Sequence, residues 1–322
     1  MAASSASRRQ TPFLVGLLLI LAALPAGWFL FLREPPPPPP APAPPVAVQA
    51  PVEKKPLELE ISEVSGTVEV LHSDGTWRLA QVGTSLRQNE KVRTQDGSYA
   101  MLIGGEAVEV RMDPGTEISV QELTEEVSRI LLSNGMATAV VRPGRRHTIE
   151  VKASNADAVA RLEQSGAFTM SNNGQGTVAV GTREGEVTLL GQGKVVIVRA
   201  GQQSVIRPGQ APSEPAAVPS SLLLKVDWPA ERTRRERELV VRGQTEPGSR
   251  VEVDGVAIAP DAQGNFERKV KLREGRNTVD VRAIGVARIE QRERQDVVVD
   301  TTPPPLKTDT QDIWNQANDA SR

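Results

Sequence analysis

The chain contains no cysteine in 322 residues. Disulfides, thiolate chemistry and a lipid-modified N-terminal cysteine are therefore excluded, although the absence does not choose a compartment, because oxidising compartments permit disulfides without requiring them. Aromatic residues make up only 3%, with a single tyrosine. Any core must then be built from Val, Ile, Leu and Ala, and surfaces for stacking sugar rings are sparse. Only two histidines occur, His72 and His147. A serine nucleophile needs a base within reach, and a metal needs clustered ligands. Two distant histidines without an acidic cluster predict neither. His72, beside the Ser73–Asp74–Gly75 turn, is expected to face solvent.

Charge of one sign is not in excess either: Lys and Arg number 38, Asp and Glu 40. That balance removes the electrostatic case for nucleic acid or an anionic lipid surface. Gly191–Gln192–Gly193 lacks the third glycine and the following helix of a dinucleotide site. Asp254–Gly255 and Asp261 to Asn265 do not have the spacing of a calcium loop. No catalytic, cofactor-binding or metal-ligating residue is assigned, no cofactor is expected, and the chain reads as a non-enzyme.

What is present begins at the N-terminus. Residues 1–11 are polar and end near Arg8–Arg9; an apolar run then fills 12–32. As a helix at ~1.5 Å per residue this run extends roughly 30 Å, the thickness of a bilayer's hydrocarbon layer. It is read as a transmembrane helix. The alternative is a cleaved signal, but the run continues through Trp28 to Leu32, past the poor Leu24–Pro25–Ala26 cleavage site. Arg8 and Arg9 favour a cytoplasmic N-terminus, too short at 1–11 to fold. Residues 33–56 form a proline-rich linker, a polyproline-II spacer.

From 57 to 210 apolar residues alternate with polar ones, as in Val108–Val110–Met112, Ile118–Val120, Ile149–Val151, Val178–Val180, Val187–Leu189 and Val196–Val198. Period two places one set on a buried sheet face. Turn signals recur at short spacing, among them Asp96–Gly97, Asp113–Pro114–Gly115 and Asn134–Gly135, and imply an all-β domain. Gly66–Thr67–Val68–Glu69–Val70–Leu71 is echoed by Gly185–Glu186–Val187–Thr188–Leu189–Leu190, each followed by a further glycine, Gly83 and Gly201. Two copies of one hairpin unit, or chance, would explain the echo. Residues 211–221 read as a second linker. Alternation resumes over 222–300, at Leu239–Val241, Val251–Val253, Val279–Val281 and Val297–Val299. About seven strands there fit an immunoglobulin-like β-sandwich. A polar tail, 301–322, closes the chain. The fold class expected is mostly β.

Residues 61–212 resemble the extracytoplasmic domain of the FecR family. The carriers are Gly66 to Val70, Val82–Gly83–Thr84–Ser85–Leu86, Val92–Arg93–Thr94, Gly97–Ser98–Tyr99–Ala100, Val108–Glu109–Val110 with Pro114, and Arg199–Ala200–Gly201–Gln202. Where the family has Gly–Asp before its Val-x-Thr, this chain has Asn89–Glu90. The resemblance implies a periplasmic solenoid- or sandwich-like β domain used for protein contact and signal transduction in a Gram-negative inner membrane. It does not carry an anti-sigma mechanism across, because residues 1–11 cannot supply a sigma-binding domain. The segment Val241 to Ser249, with Asp261 to Phe266 and Leu272 to Val279, is similar to bacterial immunoglobulin-like modules.

Partners are therefore expected among envelope proteins, with peptidoglycan as the alternative. The residues read as partner-binding are Ile313 and Trp314, an apolar pair in the polar tail that either docks a partner or packs back on a domain, and Arg142, Arg145 and Arg146, a small basic loop.

Overall fold

A computed structural model describes residues 15–21, 58–144 and 146–303. The chain divides into two units, Met1–Lys54 and Lys55–Arg322. In the first unit the described residues form one helix, α1 (15–21). Among the described residues no helix is long and apolar enough to cross a membrane. The remainder of the expected 12–32 span, the proline-rich linker and residues 304–322 lie outside the described residues.

The second unit is built from strands. The first seventeen are β1 (Leu59–Ser65), β2 (Val68–Leu71), β3 (Trp77–Leu79), β4 (Ser85–Leu86), β5 (Lys91–Thr94), β6 (Tyr99–Gly104), β7 (Val108–Met112), β8 (Glu117–Leu123), β9 (Val127–Val141), β10 (Thr148–Ala153), β11 (Ala158–Leu162), β12 (Gly166–Asn172), β13 (Val178–Glu184), β14 (Glu186–Gly191), β15 (Lys194–Arg199), β16 (Gln202–Ile206) and β17 (Ala216–Ala217). One sheet runs β4–β1–β6–β7–β9–β12–β13–β16–β17. The other runs β3–β2–β5–β8–β9–β10–β11–β14–β15. Every pairing is antiparallel except β9 with β10.

The strand β9 belongs to both sheets. Its first half pairs with β8 and β10, and its second half, from Gly135, pairs with β7 and β12. The crossing is made at Gly135, where φ is +101° and a Cβ would lie 2.5 Å from the Cα of Thr116. Only glycine combines that backbone angle with that approach. Thr116 replaces the ladder there: its hydroxyl donates to the Met136 carbonyl at 3.1 Å, and the Met136 N–H donates back at 3.0 Å. Asn134–Gly135, which reads as a turn, is thus a bend inside one long strand. The same conformational freedom that suits a turn serves a change of sheet.

The alternating residues behave as their period requires. Val108, Val110, Met112, Ile118, Val120, Ile149, Val151, Val178, Val180, Val187, Leu189, Val196 and Val198 all enter one core between the two sheets. The sequence echo has a structural counterpart. Gly66 carries the chain from β1 in the first sheet to the β2–β3 hairpin in the second, and Gly185 does the same from β13 to β14–β15. Each hairpin returns to pair with the strand it left: the Gly83 N–H donates to Ile61 O at 2.8 Å, and that of Gly201 to Thr182 O at 2.9 Å. The two hairpins occupy the two opposite edges of the second sheet.

The remaining strands are β18 (Leu224–Val226), β19 (Thr233–Arg234), β20 (Glu238–Thr245), β21 (Arg250–Val253), β22 (Val256–Ile258), β23 (Asn265–Lys271), β24 (Gly275–Ile284) and β25 (Glu290–Val299). A three-stranded sheet, β18–β20–β23, and a five-stranded sheet, β19–β25–β24–β21–β22, supply a second core with Val251, Val253, Val281, Val297 and Phe266. Within the segment expected as a linker, 211–221, β17 pairs with β16, and Ser204 donates to the Ser213 carbonyl at 2.8 Å. A short proline-, alanine- and serine-rich stretch carries no strand periodicity, yet its backbone completes an open sheet edge.

Candidate interaction surface

The two sandwiches meet at a joint that the sequence does not announce. Met136, Ala179, Ile284 and Val286 form a third apolar cluster, with Val205 packed against it. Around it run polar ties. Arg250 reaches from β21 and donates from Nη2 to the Gly115 carbonyl at 2.8 Å. The Ala257 N–H donates to Asp96 Oδ1 at 3.0 Å, and the Ser171 hydroxyl donates to the Gly248 carbonyl at 2.5 Å. Asn173 donates to the Pro260 carbonyl at 3.1 Å. Arg288, in the β24–β25 turn, ion-pairs with Asp113. Gly248 permits the close approach: a Cβ there would overlap that of Ala179.

Burial dominates the electrostatics of this joint. Arg250 is 8% exposed, and burial pulls its guanidinium below its ordinary value against the opposing pull of Asp113, Glu252 and Asp96. Burial raises the carboxyl of Glu252, opposed by Arg282 and Arg250. Far from the joint, burial also raises Glu150, but hydrogen bonds from Arg161 and Arg129 outweigh it and hold the carboxyl below the usual range.

Both histidines are accounted for by structure. His147 is 2% exposed. Its Nδ1 donates to the Glu125 carbonyl at 3.0 Å, since a carbonyl can only accept. Its Nε2 lies 2.9 Å from the Ser128 hydroxyl. His72 is 3.1 Å from Glu90 Oε1 and half-buried, so it is less open than its turn suggests.

Of the residues read as partner-binding, Ile313, Trp314 and Arg145 lie outside the described residues. Arg142 is exposed and donates to Glu109 at 3.0 Å. Arg146 lines an open cleft with Glu125, Glu126, Glu106 and His147. Arg142 and Arg146 therefore each stand beside carboxylates. The charged segments 231–238 and 288–294 behave similarly. Arg292 and Arg294 both bind Asp280, at 2.5 and 3.1 Å, and Glu293 accepts from the Trp228 indole at 2.9 Å.

A different surface stands out. Among the described residues β15 is the last strand of its sheet, paired only with β14. Its inward residues Val196 and Val198 are core, but outward Val195 and Ile197 are 56% and 44% exposed, and Leu190 beside them is 39% exposed. Leu190 lies directly opposite Val195 in the ladder. The strand is apolar on both faces. Its end cations are neutralised within the chain, Lys194 by Glu214 at 2.6 Å and Arg199 by Glu186 at 2.9 Å. Unbroken Val195–Val196–Ile197–Val198 is the available sequence signal, because a half-buried strand needs only every second residue apolar.

No family model matches the chain, and no curated protein matches it. Among solved structures, two of a candidate anti-sigma factor from Parabacteroides distasonis are 15% and 14% identical, with a TM-score of 0.34 each. Those matches cover 39% of this chain and 59% of the other, so the chain spans less than two thirds of that protein's length. Fibronectin(III)-like modules of Clostridium thermocellum CbhA match over 56% of this chain and 93% of theirs, at 12% identity and a TM-score of 0.21. Likenesses this slight establish neither a family nor a function, and what stands is a chain that is mostly β.

Proposed function

We propose that this chain is a non-enzymatic, single-pass inner-membrane protein that displays a FecR-like β domain and an immunoglobulin-like sandwich in the periplasm for protein–protein interaction or signal relay. No sigma-binding role is assigned to residues 1–11. In this reading 12–32 is the anchor, 33–56 the spacer, and the FecR-like and immunoglobulin-like domains are 57–210 and 222–300. The order of the second sandwich supports the latter. β18–β20–β23 faces β25–β24–β21–β22, with β19 added in parallel to β25, the connectivity of an immunoglobulin-type sandwich.

The observation that carries protein contact is the outward apolar row on the terminal strand β15. Exposed apolar residues gathered on an unpaired edge mark a surface for another chain, and an edge strand accepts an extended segment by strand addition. Peptidoglycan is the less favoured partner. Trp77 has Arg93 stacked over its ring at 3.9 Å, and Trp228 is half-buried and tied to Glu293, which leaves little aromatic face for sugars.

The test is crosslinking in living cells with identification of captured proteins. Val195→Lys with Ile197→Lys is expected to lower capture of an envelope protein about tenfold, the equivalent of ~1.4 kcal/mol. Capture that is unchanged, or of peptidoglycan alone, would overturn the reading. The topology is checked with a reporter active only outside the cytoplasm, fused after Asp300; an inactive reporter counts against the anchor.

A further inference from the structure

β15 carries an apolar outer row and an open backbone edge, and both fit one symmetry. We propose that the occupant of this edge is a second copy of this chain, paired antiparallel through β15 about a two-fold axis at Val196. The inference rests on the reading of β15 as the contact surface and names its partner.

The turn sets which backbone groups are free. β14 and β15 are joined by Gln192 and Gly193, at φ +47° and +71°, the two left-handed residues of a type I′ turn. Such a turn closes on a hydrogen-bonded pair, here Gly191 with Lys194. Ladder bonds alternate along an antiparallel strand. Lys194, Val196 and Val198 therefore bond to β14, while Val195, Ile197 and Arg199 direct their N–H and C=O groups outward. Arg199 bears out the phase, because its N–H donates to Gln202 Oε1 at 3.0 Å, outside the ladder. With that donor capped, the outward N–H groups on β15 without a partner among the described residues are those of Val195 and Ile197.

Two copies satisfy these groups in one register. Val195 opposite Ile197 of the second copy is a pair that exchanges both N–H···O bonds. The two-fold repeats the pair, which makes the contact isologous. A slip of two residues would set Val195 against Arg199, whose N–H is already bonded to Gln202.

The same register joins the side chains. Val159, Leu190 and Val195 lie in one row on the outer face. Ile197 of the second copy extends that row, and the symmetry-related row lies beside it. Cross-strand pairs of β-branched residues of this kind stabilise a ladder. Lys194 comes opposite Val198 and Arg199 opposite Gly193 of the second copy, so no like charges are directly opposed. Each cation keeps its own carboxylate, Glu214 and Glu186. The edge therefore offers no net charge to attract a charged foreign segment, and what remains is complementary to itself. A contact of one short strand per copy falls below the ~800 Å² per partner of a standard interface, so the dimer is expected to form and part with concentration.

Light scattering over a dilution series of the full-length chain in detergent tests this. The chain is expected to pass from dimer to monomer on dilution. Val195→Lys and Ile197→Glu should each raise the midpoint concentration about tenfold or more, since symmetry places each change in the contact twice. An equimolar mixture of the two variants should return to within about threefold of the unaltered chain, because the register sets the introduced lysine opposite the introduced glutamate. Leu79→Lys, on β3 at the opposite edge of the sheet, should leave the midpoint unchanged. A mixture that does not recover, or equal disruption by Leu79→Lys, would overturn the pairing. So would a chain that is monomeric at every concentration. If capture of a different envelope protein then still falls with Val195→Lys and Ile197→Lys, β15 stands as the contact surface and only the second copy is excluded.

Discussion

Asp113 and Arg288 stand 175 residues apart in sequence and form an ion pair across the joint between the two sandwiches. The Asp113 side chain is 4% exposed, and Arg111 pairs with it at 3.4 Å. Arg288→Ala leaves a buried carboxylate with Arg111 at 3.4 Å as its remaining ion-pair contact. It is expected to cost about 1–3 kcal/mol. Denaturant unfolding should then separate into two transitions, because the tie between the cores is cut. A single transition with an unchanged midpoint would show that the apolar cluster alone holds the joint.

Gly135→Ala places a Cβ against Thr116 at a left-handed backbone position. Overpacking costs ~1–3 kcal/mol and an unfavourable φ about as much, so a loss of roughly 2–4 kcal/mol is expected by thermal melting. Gly75→Ala is the control. It shares the positive φ, but nothing lies within 4 Å of the added atom, so its loss should be clearly smaller.

His147→Ala strands the buried Ser128 hydroxyl and removes a donor from the Glu125 carbonyl. A stability loss of about 1–3 kcal/mol is expected, with partner capture retained once folding is allowed for. Capture abolished in a variant that is still folded at the assay temperature would point to a chemical role for the ring.

Glu252 gives the pH dependence a sign. Its carboxyl is raised by burial, so the folded state binds the proton more tightly than the unfolded chain does. Its contribution is fully present below the unfolded value of ~4.3 and is lost as pH rises through the raised folded value. Asp280 runs the other way. Its hydrogen bond from Arg292 outweighs burial and, with Arg294, depresses the carboxyl, so its contribution is present above ~3.9 and lost as pH falls through the depressed value. Glu252→Gln should therefore flatten the decline of the melting temperature just above pH 4. Asp280→Asn should flatten the fall below it. The reverse assignment would contradict the burial of Glu252.

Much of the first core is legible in the sequence because alternation is a property of the strand itself: Val108, Val110 and Met112 point inward wherever their strand lies. The hairpin echo at Gly66 and Gly185 is legible for the same local reason. What escapes is non-local. Gly135 carries one signal for two uses, a turn and a sheet crossing, and only Thr116 distinguishes them. Arg250 lies in a strand between turn residues, and nothing nearby in sequence shows that Gly115 waits for it. The segment 211–221 reads as open because proline and serine lack periodicity, yet backbone pairing needs none. The apolar outer row at β15 stays hidden as long as only the inward residues are counted as informative.

The strand shared at Gly135 makes the first sandwich a folded ribbon rather than two separate plates. Stripping one sheet away means dragging β9 out of the other's ladder as well. Under mechanical load the module is therefore expected to hold and then give way in one event, with no half-opened state in which a single layer persists.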